Sequence, residues 1–272
     1  MRIGAVRNMH DQVSGSALHP RSATGGNAMK AIMRTFVIAA ASAASVLAAW
    51  TAHAYEVGPM RIFLDLGAGQ TSSVFTIRNT RDEDLPVEME VYRRLVSEDG
   101  EQELVPADDD FVIFPPQVLV GGLQNQAVRI QYVGDPAPAE SISYVIQVAE
   151  VPVVPDEFTG VVFAYNFGVS VYVRAPGAQD RVSFSQAERD GDSLVFTVTN
   201  AGADYNFLSM HGLEISAGGR RSTLTPDQVA ERAGNPIIPP NAARRFSLSL
   251  DGLELDDLPQ SDIRVAQVRR GR

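Results

Sequence analysis

Apolar and polar residues alternate in short runs along the chain after residue 55, and turn-forming residues separate the runs. Alternation with a period of two is typical of β-strands that bury one face. We find no convincing long amphipathic helix, and strands at this spacing favour a β-sandwich. The predicted strands of the first half are 57–66, 73–78, 87–96, 111–114, 127–132, 144–151 and 160–174. These seven strands predict one immunoglobulin-like sandwich.

The strand pattern stops in a short linker, 175–180, which begins Ala175-Pro-Gly-Ala-Gln179, and then starts again. The clearer strands after it are 182–187, 193–199, 206–215, 244–250 and 263–268. Residues 225–234 are open to two interpretations, a short helix or an insertion loop. The predicted fold is therefore all-β, with two immunoglobulin-like β-sandwich domains, 55–174 and 181–272.

Two internal similarities suggest that the two domains are related. Val74-Phe-Thr-Ile-Arg-Asn79 matches Val195-Phe-Thr-Val-Thr-Asn200, and residues 122–130 loosely resemble residues 239–247. The two similarities have nearly the same offset along the chain. A shared use of turn residues without duplication explains them almost as well, so both explanations stay open.

The strand predicted at 160–174 is a long apolar run that lies just before the linker between the two domains. One of its faces carries large apolar residues: Val161, Phe163, Tyr165, Phe167, Val169, Val171 and Val173. Strands average about 5–6 residues, so a run of this length needs additional surface to cover it. It is either an ordinary core strand or a strand of which half pairs with another chain by β-augmentation.

The first 54 residues are not expected to belong to the folded domains. Residues 29–34 carry positive charge, residues 35–50 are apolar and small, and Ala52-His-Ala54 supplies a small-x-small cleavage motif. This pattern predicts a secretory signal peptide at about 29–54, cleaved after Ala54. The apolar run is short for a membrane anchor, so stable membrane insertion is not expected. Residues 1–28 are interpreted as an upstream mis-start, with a real extension as the alternative.

The composition excludes several classes of function. Cleavage would remove five of the 23 basic and one of the 33 acidic residues, which changes the formal net charge from −10 to −14. A strongly acidic chain argues against nucleic-acid binding. The chain has no cysteine, which excludes thiol chemistry and disulfides, and after residue 54 it has no lysine and a single histidine, His211.

Residues suited to catalysis or metal binding are scarce in the predicted mature chain. A catalytic triad would depend on His211, which lies in no recognisable motif. Zinc needs three or four clustered ligands, and Asp108-Asp-Asp110 lacks the alternating ligands and glycine turn of a calcium loop. We interpret that triplet as a solvated loop. We expect no catalytic residue, metal or cofactor, and an exported enzyme stays only as an alternative that depends on His211.

Three charged residues accompany the apolar strands. Arg61 lies within Met60-Arg-Ile-Phe-Leu-Asp65, where its side chain either extends along apolar neighbours to the surface or anchors a carboxylate in a cleft. Glu150 and Arg174 each end an apolar strand near the junction of the two domains. Opposite charges placed in this way could form a pair that fixes the interdomain angle. An exposed pair would contribute only about 0–1 kcal/mol, so its value would be geometric.

Several motifs together resemble the periplasmic pilus assembly chaperones of the chaperone–usher pathway. The similarity spans most of the predicted mature chain and is strongest over 57–176. Its motifs are Met60-Arg-Ile-Phe-Leu-Asp65, Phe114-Pro-Pro116, Gly121-Gly-Leu-Gln-Asn-Gln-Ala-Val-Arg129, Tyr144 through Glu150-Val-Pro152, and Phe167-Gly-Val-Ser-Val-Tyr-Val-Arg174. The resemblance implies two immunoglobulin-like domains arranged as a boomerang. It also implies a periplasmic chaperone that stabilises pilus or surface-fibre subunits by donor-strand complementation and delivers them to an outer-membrane usher.

The resemblance assigns roles to individual residues. Donor-strand contacts fall on Val161, Phe163, Tyr165 and Phe167, within a donor strand at 160–174. In the family an arginine and a lysine hold the subunit's terminal carboxylate; Arg61 matches the arginine, whereas the lysine position falls on Ser170. Glu150 and Arg174 match two members of the family's interdomain salt bridge, and no third, acidic member is found near the C-terminus.

These departures resemble the divergent, non-classical branch of the family, which implies pilus or spore-coat-U-like fibre subunits as partners. The alternative function is an exported two-domain β-sandwich that is itself a structural or adhesive surface protein. Such a protein would stay at the cell surface, whereas a chaperone would stay in the periplasm.

Overall fold

The computed structural model describes residues 55–153, 159–251 and 262–268. The predicted signal peptide and the residues before it lie outside the described residues. Within the described ranges, strands dominate and a single seven-residue segment is α-helical. No helix in these ranges has the length and apolarity needed to cross a bilayer. The all-β prediction is confirmed.

The part of the first domain that the structure describes forms ten strands in two sheets. They are β1 (Glu56–Gly58), β2 (Arg61–Asp65), β3 (Ser72–Arg78), β4 (Leu85–Val96), β5 (Gln102–Pro106), β6 (Phe111–Phe114), β7 (Gln117–Val120), β8 (Asn125–Tyr132), β9 (Ile142–Glu150) and β10 (Asn166–Arg174). One sheet has the order β1-β3-β8-β6. The other has the order β2-β10-β9-β4-β5, with β7 paired to β4. All pairs are antiparallel except β2 with β10, which is parallel.

The strand predicted at 57–66 is two strands that belong to different sheets. β1 pairs with β3, whereas β2 pairs with β10 on the opposite side of the sandwich. Pro59 lies between β1 and β2, and proline lacks the N–H that a continuous ladder requires. The chain therefore crosses from one sheet to the other just before Arg61.

The core of the first domain lies between its two sheets. Alternate residues of β10, namely Val169, Val171 and Val173, are buried in this core together with Ile62 and Leu64 of β2. The opposite face of β10 carries Ser170 and Tyr172. This inward alternation agrees with the period-two pattern for the C-terminal half of the predicted strand.

In the second domain, the described residues form nine strands and one helix. They are β11 (Val182–Phe184), β12 (Gln186–Asp190), β13 (Ser193–Asn200), β14 (Asn206–Phe207), β15 (Leu213–Ala217), β16 (Arg220–Leu224), α1 (Pro226–Arg232), β17 (Ile237–Ile238), β18 (Ala242–Ser249) and β19 (Ile263–Gln267). β13 pairs with β11, β12 and β18, and β12 continues through β19 to β15 and β16. β14 pairs with β17. The sheets enclose a second core, which includes Phe196, Leu213 and Phe246.

The segment 225–234, which the sequence left open, contains helix α1. Thr225 and Gln228 form a capping box at its start, and Pro226 occupies the first turn. Both features stabilise a helix N-terminus, because they satisfy or remove backbone donors that have no partner within the helix.

Two buried asparagines perform the same task in the two domains. The Asn79 side-chain amide donates to the carbonyls of Glu83 and Val120, and its oxygen accepts from the backbone N–H of Arg81. The Asn200 amide likewise donates to the carbonyls of Asp204 and Pro239, and its oxygen accepts from the N–H of Gly202. The same sequence offsets, +4 and +2, recur in both networks. The matching bonds favour related domains over a chance similarity of turn residues.

We expect Asn79→Ala to lower the free energy of unfolding by about 2–3 kcal/mol, because several buried backbone groups would lose their partners. Urea denaturation of the variant and of Asn125→Ala would measure this, since Asn125 is exposed at the start of β8. The structural role of Asn79 would be contradicted by equal midpoints for the two variants.

The two domains contact each other beside the outer face of β10. Tyr172 packs with Phe207 and Ile237 in a small apolar cluster of its own. Backbone hydrogen bonds link Ser141 to Ala203 and Arg245 to Glu98. The outer face of the β2–β10 sheet is thus covered in part by the second domain.

Candidate functional site

The strand predicted at 160–174 is shorter in the structure, where β10 begins at Asn166. Gly160 to Tyr165 are described but lie in no strand. Along Asn166–Val173, β10 pairs with β9, whereas β2 pairs with it only from Ser170 onward. The predicted strand bounds 160–174 are therefore wrong for the isolated chain, because no strand of the described residues pairs with residues 160–164.

The four predicted donor-strand contacts fall into two groups. Val161 and Phe163 are 76% and 77% exposed. Tyr165 and Phe167 are partly buried and pack against the first domain's own core, where the Phe167 ring meets the Tyr55 ring edge-on at 4.7 Å. The apolar face of β10 thus continues beyond the end of the core, and only its first two large residues lie in solvent.

Tyr165 is held in place by the end of β9. The N–H of Tyr165 donates to the Glu150 carboxylate at 3.2 Å, and its carbonyl accepts from the backbone N–H of Glu150 and from the Tyr55 hydroxyl. Glu150 is itself paired with both terminal nitrogens of Arg81, one of them at 2.8 Å. These bonds fix the point from which residues 160–164 extend.

Glu150 therefore does not pair with Arg174, and the predicted interdomain pair is wrong. Glu150 and Arg81 both belong to the first domain, and the Arg81 guanidinium reaches Glu150 from the turn between β3 and β4. The hydrogen bond and charge of Arg81 lower the pKa of Glu150, and burial opposes this only in part. Because Arg81 lies in a polar turn, nothing in the alternating pattern marked it as a partner.

We expect Glu150→Gln to cost about 2 kcal/mol of unfolding free energy at pH 7, since it removes a charge-assisted bond. A folded-state pKa below the unfolded value of 4.5 makes this contribution fully present above that value. The contribution is lost as the pH falls through the lower, folded-state pKa. Urea midpoints of both proteins between pH 7 and pH 3 should therefore converge at the acid end. A difference that stays constant to pH 3 would contradict the role of the ionised pair.

Arg174 links the two domains through a different acid. Its Nε lies 2.9 Å from the Asp204 carboxylate of the second domain, and another nitrogen lies 3.6 Å from Asp65 of the first. Arg174 also donates to the carbonyl of Ala178 in the linker. Asp204 is thus the acidic residue of the second domain that pairs with Arg174, and it does not lie near the C-terminus. It lies instead in the turn after β13, where the Asn200 network positions its backbone.

Arg61 and Ser170 lie side by side. They are paired positions in the parallel ladder between β2 and β10, and the Ser170 N–H donates to the carbonyl of Met60 at 3.0 Å. The Arg61 side chain is exposed, with its guanidinium 5.2 Å from the centre of the Phe207 ring. Ser170 accepts a hydrogen bond from Arg94, a residue that the sequence analysis did not single out.

The acidic triplet has structural roles that the sequence interpretation missed. Asp108 accepts a hydrogen bond from the backbone N–H of Val91, and Asp110 accepts one from the Tyr144 hydroxyl at 2.7 Å. Burial and this bond raise the pKa of Tyr144. The triplet is therefore more than a solvated loop, because two of its carboxylates tie the loop to β4 and β9.

The remaining candidate chemistry is sparse. His211 lines an interdomain cavity of about 420 Å³ together with Phe63, Asp180 and Asp204. No serine or carboxylate among the described residues is hydrogen-bonded to His211. Within the same residues, no group of three potential metal ligands is found.

A two-domain β-sandwich with an apolar segment projecting from the first domain's sheet is the class of protein that these features define. Residues 55–177 match the family model described as "Pili and flagellar-assembly chaperone, PapD N-terminal domain". The match of the first domain to this model confirms the resemblance found in the sequence. A comparison with curated proteins found no match.

The chain is similar to solved structures of low sequence identity. A structure titled as a chaperone–tip adhesin complex of CFA/I fimbriae biogenesis is 11% identical, with a TM-score of 0.50, over 70% of this chain and 87% of that chain. The E. coli chaperone DraB is 20% identical, with a TM-score of 0.46, over 78% of this chain and 89% of that chain. The Acinetobacter baumannii CsuC–CsuE chaperone–tip adhesion subunit complex is 12% identical, with a TM-score of 0.48, over 74% of this chain and 90% of that chain. At these identities the first match supports the fold alone.

Proposed function

We propose that the chain is a periplasmic chaperone for subunits of pili or related surface fibres. It binds a subunit by supplying residues 160–169 as an additional strand, and it then delivers the subunit to an outer-membrane usher. Export by the predicted signal peptide places it in the periplasm. The observation that carries this proposal is the exposure of Val161 and Phe163. They continue the alternating apolar series that, further along the chain in β10, forms the domain's core.

The physical basis is the pairing of two incomplete surfaces. An exposed apolar strand edge aggregates unless it is covered, and a fibre subunit that lacks its last strand exposes such an edge. Among the described residues, 160–164 form no backbone hydrogen bond, and the large side chains of Val161 and Phe163 are exposed, so this segment suits β-augmentation, in which backbone bonds give affinity and side chains fill pockets. Arg61, which is paired with Ser170 further along the chain, supplies a cation for the subunit's terminal carboxylate.

Co-purification tests this function. The mature chain is produced in the periplasm together with candidate small β-sandwich fibre subunits, and is recovered through a tag on its C-terminus. A one-to-one complex with one of these subunits is the expected result. Recovery of the chain alone, with the subunits degraded to the same level as in its absence, would contradict the proposal.

A surface protein of similar fold is the competing function, and cell fractionation separates the two. We expect the mature chain in the periplasmic fraction, released by osmotic shock. Stable accumulation at the cell surface, in fibres that contain the chain itself, would favour the structural or adhesive function instead.

A further inference from the structure

The hairpin formed by β4 and β5 extends past the core of the first domain. Strands usually have about 5–6 residues, whereas β4 has 12. All residues of β5 are exposed. Leu95 of β4 is 43% exposed, although alternation places it on the same face as the buried Val91. The end of this hairpin therefore contributes little to the first core, and other contacts must explain its length.

The tip of the hairpin, residues 97–101, is a compact turn closed by its own hydrogen bonds. The Ser97 N–H donates to the carbonyl of Glu101 at 3.0 Å, and the Ser97 hydroxyl accepts from the Glu101 N–H at 3.1 Å. The Gly100 N–H donates to the carbonyl of Ser97 at 3.1 Å. Gly100 has a φ of +95°, which glycine adopts without the steric cost of a Cβ. The tip therefore projects from the first domain as an ordered unit.

This tip contacts the second domain along β18. One side of β18 pairs with β13, and on the other side the N–H of Arg245 donates to the carbonyl of Glu98 at 2.8 Å. The Asn235 side-chain amide donates to the carbonyl of Gly100 at 3.3 Å. Just before the tip, Val96 packs against the small apolar cluster between the domains. The hairpin thus reaches the second domain through both backbone and side-chain contacts.

Arg244 of the second domain fits closely against Gly100. A Cβ on residue 100 would lie 2.5 Å from Nη2 of Arg244. The guanidinium is not free to move aside, because its terminal nitrogens donate to the carbonyls of Ile237 and Asn235, both at 3.2 Å, and Arg244 is only 2% exposed. It also lies 5.1 Å from the centre of the Phe246 ring. The two surfaces are therefore complementary at a position that only glycine leaves open.

We propose that residues 97–101 are a clasp that fixes the orientation of the second domain relative to the first. Arg174 and Asp204 already join the domains at the linker side, but a single point of attachment leaves rotation about that point. The clasp is a separate point. Asn200, whose amide holds the carbonyl of Asp204, pairs with Ala242, and Arg245 lies three residues further along β18, about 10 Å away at the rise of a strand.

The orientation matters for the cleft between the domains. The Arg61 guanidinium of the first domain lies 5.2 Å from the centre of the Phe207 ring of the second, so this distance depends on how the domains are held. The clasp is independent of the proposed function, because its contacts involve none of the residues that would lend a strand. Its test therefore needs no fibre subunit.

Spin labels measure this orientation directly, since the chain has no cysteine. Ala127→Cys and Ala266→Cys place one label on an exposed site of each domain, and double electron–electron resonance gives the distribution of distances between them. In a shortened hairpin, Asn-Gly replaces residues 97–101 and closes Val96 opposite Gln102 with a two-residue turn. We expect the distribution to become at least about twofold wider, because relative motion is the default for domains that share a small interface.

Gly100→Val and Gly219→Val are a matched pair in the same assay. Both glycines lie in hairpin turns with a positive φ, +95° and +80°, so both substitutions strain the backbone. A Cβ at Gly219 would meet nothing within 4 Å. Gly100→Val should widen the distribution as the shortened hairpin does, whereas Gly219→Val should keep the wild-type width. Equal widths in these two variants would overturn the assignment of the tip contact.

Amide hydrogen exchange tests the contact itself. The N–H of Arg245 bonds to Glu98, whereas alternation of backbone directions points the N–H of Phe246 toward β13. In the shortened hairpin, exchange at Arg245 should accelerate at least about tenfold, with Phe246 unchanged. Residues 97–101 belong to neither core, so both domains should stay folded. Unchanged exchange at Arg245 would overturn the contact. Faster exchange with a wild-type distance distribution would overturn the clasp, because the tip would then cover β18 without fixing the domains.

Discussion

Phe163→Asp is expected to leave the chaperone folded and to abolish its recovery with a fibre subunit. The Phe163 side chain is largely in solvent in the isolated chain, so a carboxylate there breaks no internal contact. In the proposed complex the same side chain fills an apolar pocket of the subunit. Burying an unpaired carboxylate costs several kcal/mol, so affinity should fall by about two orders of magnitude or more.

The neighbouring residue supplies a matched control. Val162 is exposed too, but alternation places it on the face opposite Val161 and Phe163 in an extended segment. Val162→Asp should therefore retain most of the subunit that the wild-type chain recovers. Both variants should have the wild-type circular dichroism spectrum and thermal midpoint. Normal recovery with Phe163→Asp, or equal loss with both variants, would refute the assignment of this face.

The alternating pattern predicted the fold well because β-sandwiches bury one face of each strand. It placed Val169, Val171 and Val173 in the core of the first domain. It could not predict the break between β1 and β2, since Pro59 interrupts pairing without disturbing the run of apolar residues. The position of α1 became clear only from the structure, which shows the hydrogen bonds of a capping box at its start.

The site was predicted less completely, because side-chain partners depend on tertiary contacts. The sequence identified Arg61 and the apolar run that contains Phe163, but it paired Glu150 with the wrong arginine. The actual partners, Arg81 and Asp204, lie in turns that carry no periodic signal. Arg94 was overlooked for a different reason. One of two adjacent arginines at a strand end resembles a solvated charge until the structure shows that it is buried and bonded to Ser170 and Tyr172.

The division of the apolar face at Tyr165 has a functional consequence. Hydrogen bonds from Glu150 and Tyr55 fix Tyr165 to the first domain, whereas Val161 and Phe163 have no such attachment among the described residues. A lent strand needs both properties, a rigid base and a free end. The rigid base limits the conformational entropy that is lost when the free end becomes ordered on a partner.

Phe167→Ala is expected to destabilise the first domain by about 2–4 kcal/mol, near the lower range for phenylalanine truncation in a core. The Phe167 ring is partly buried against the core and meets Tyr55, so truncation leaves a cavity beside β10. Phe163→Ala should change the unfolding free energy by no more than about 0.5 kcal/mol, as is usual for exposed positions. Urea denaturation at pH 7, with equal m-values, gives both numbers.

The same pair of variants distinguishes core packing from donation to a subunit. If Phe167 belongs to the chaperone's own core, Phe167→Ala lowers stability and weakens subunit recovery only in proportion to unfolding. Raising stability again, by assaying at lower temperature, should then restore recovery. Phe163→Ala should show the opposite behaviour, with unchanged stability and weakened binding at every temperature. A Phe167→Ala variant that is fully stable yet fails to bind would instead place Phe167 in the subunit's groove and move the boundary of the lent segment beyond Tyr165.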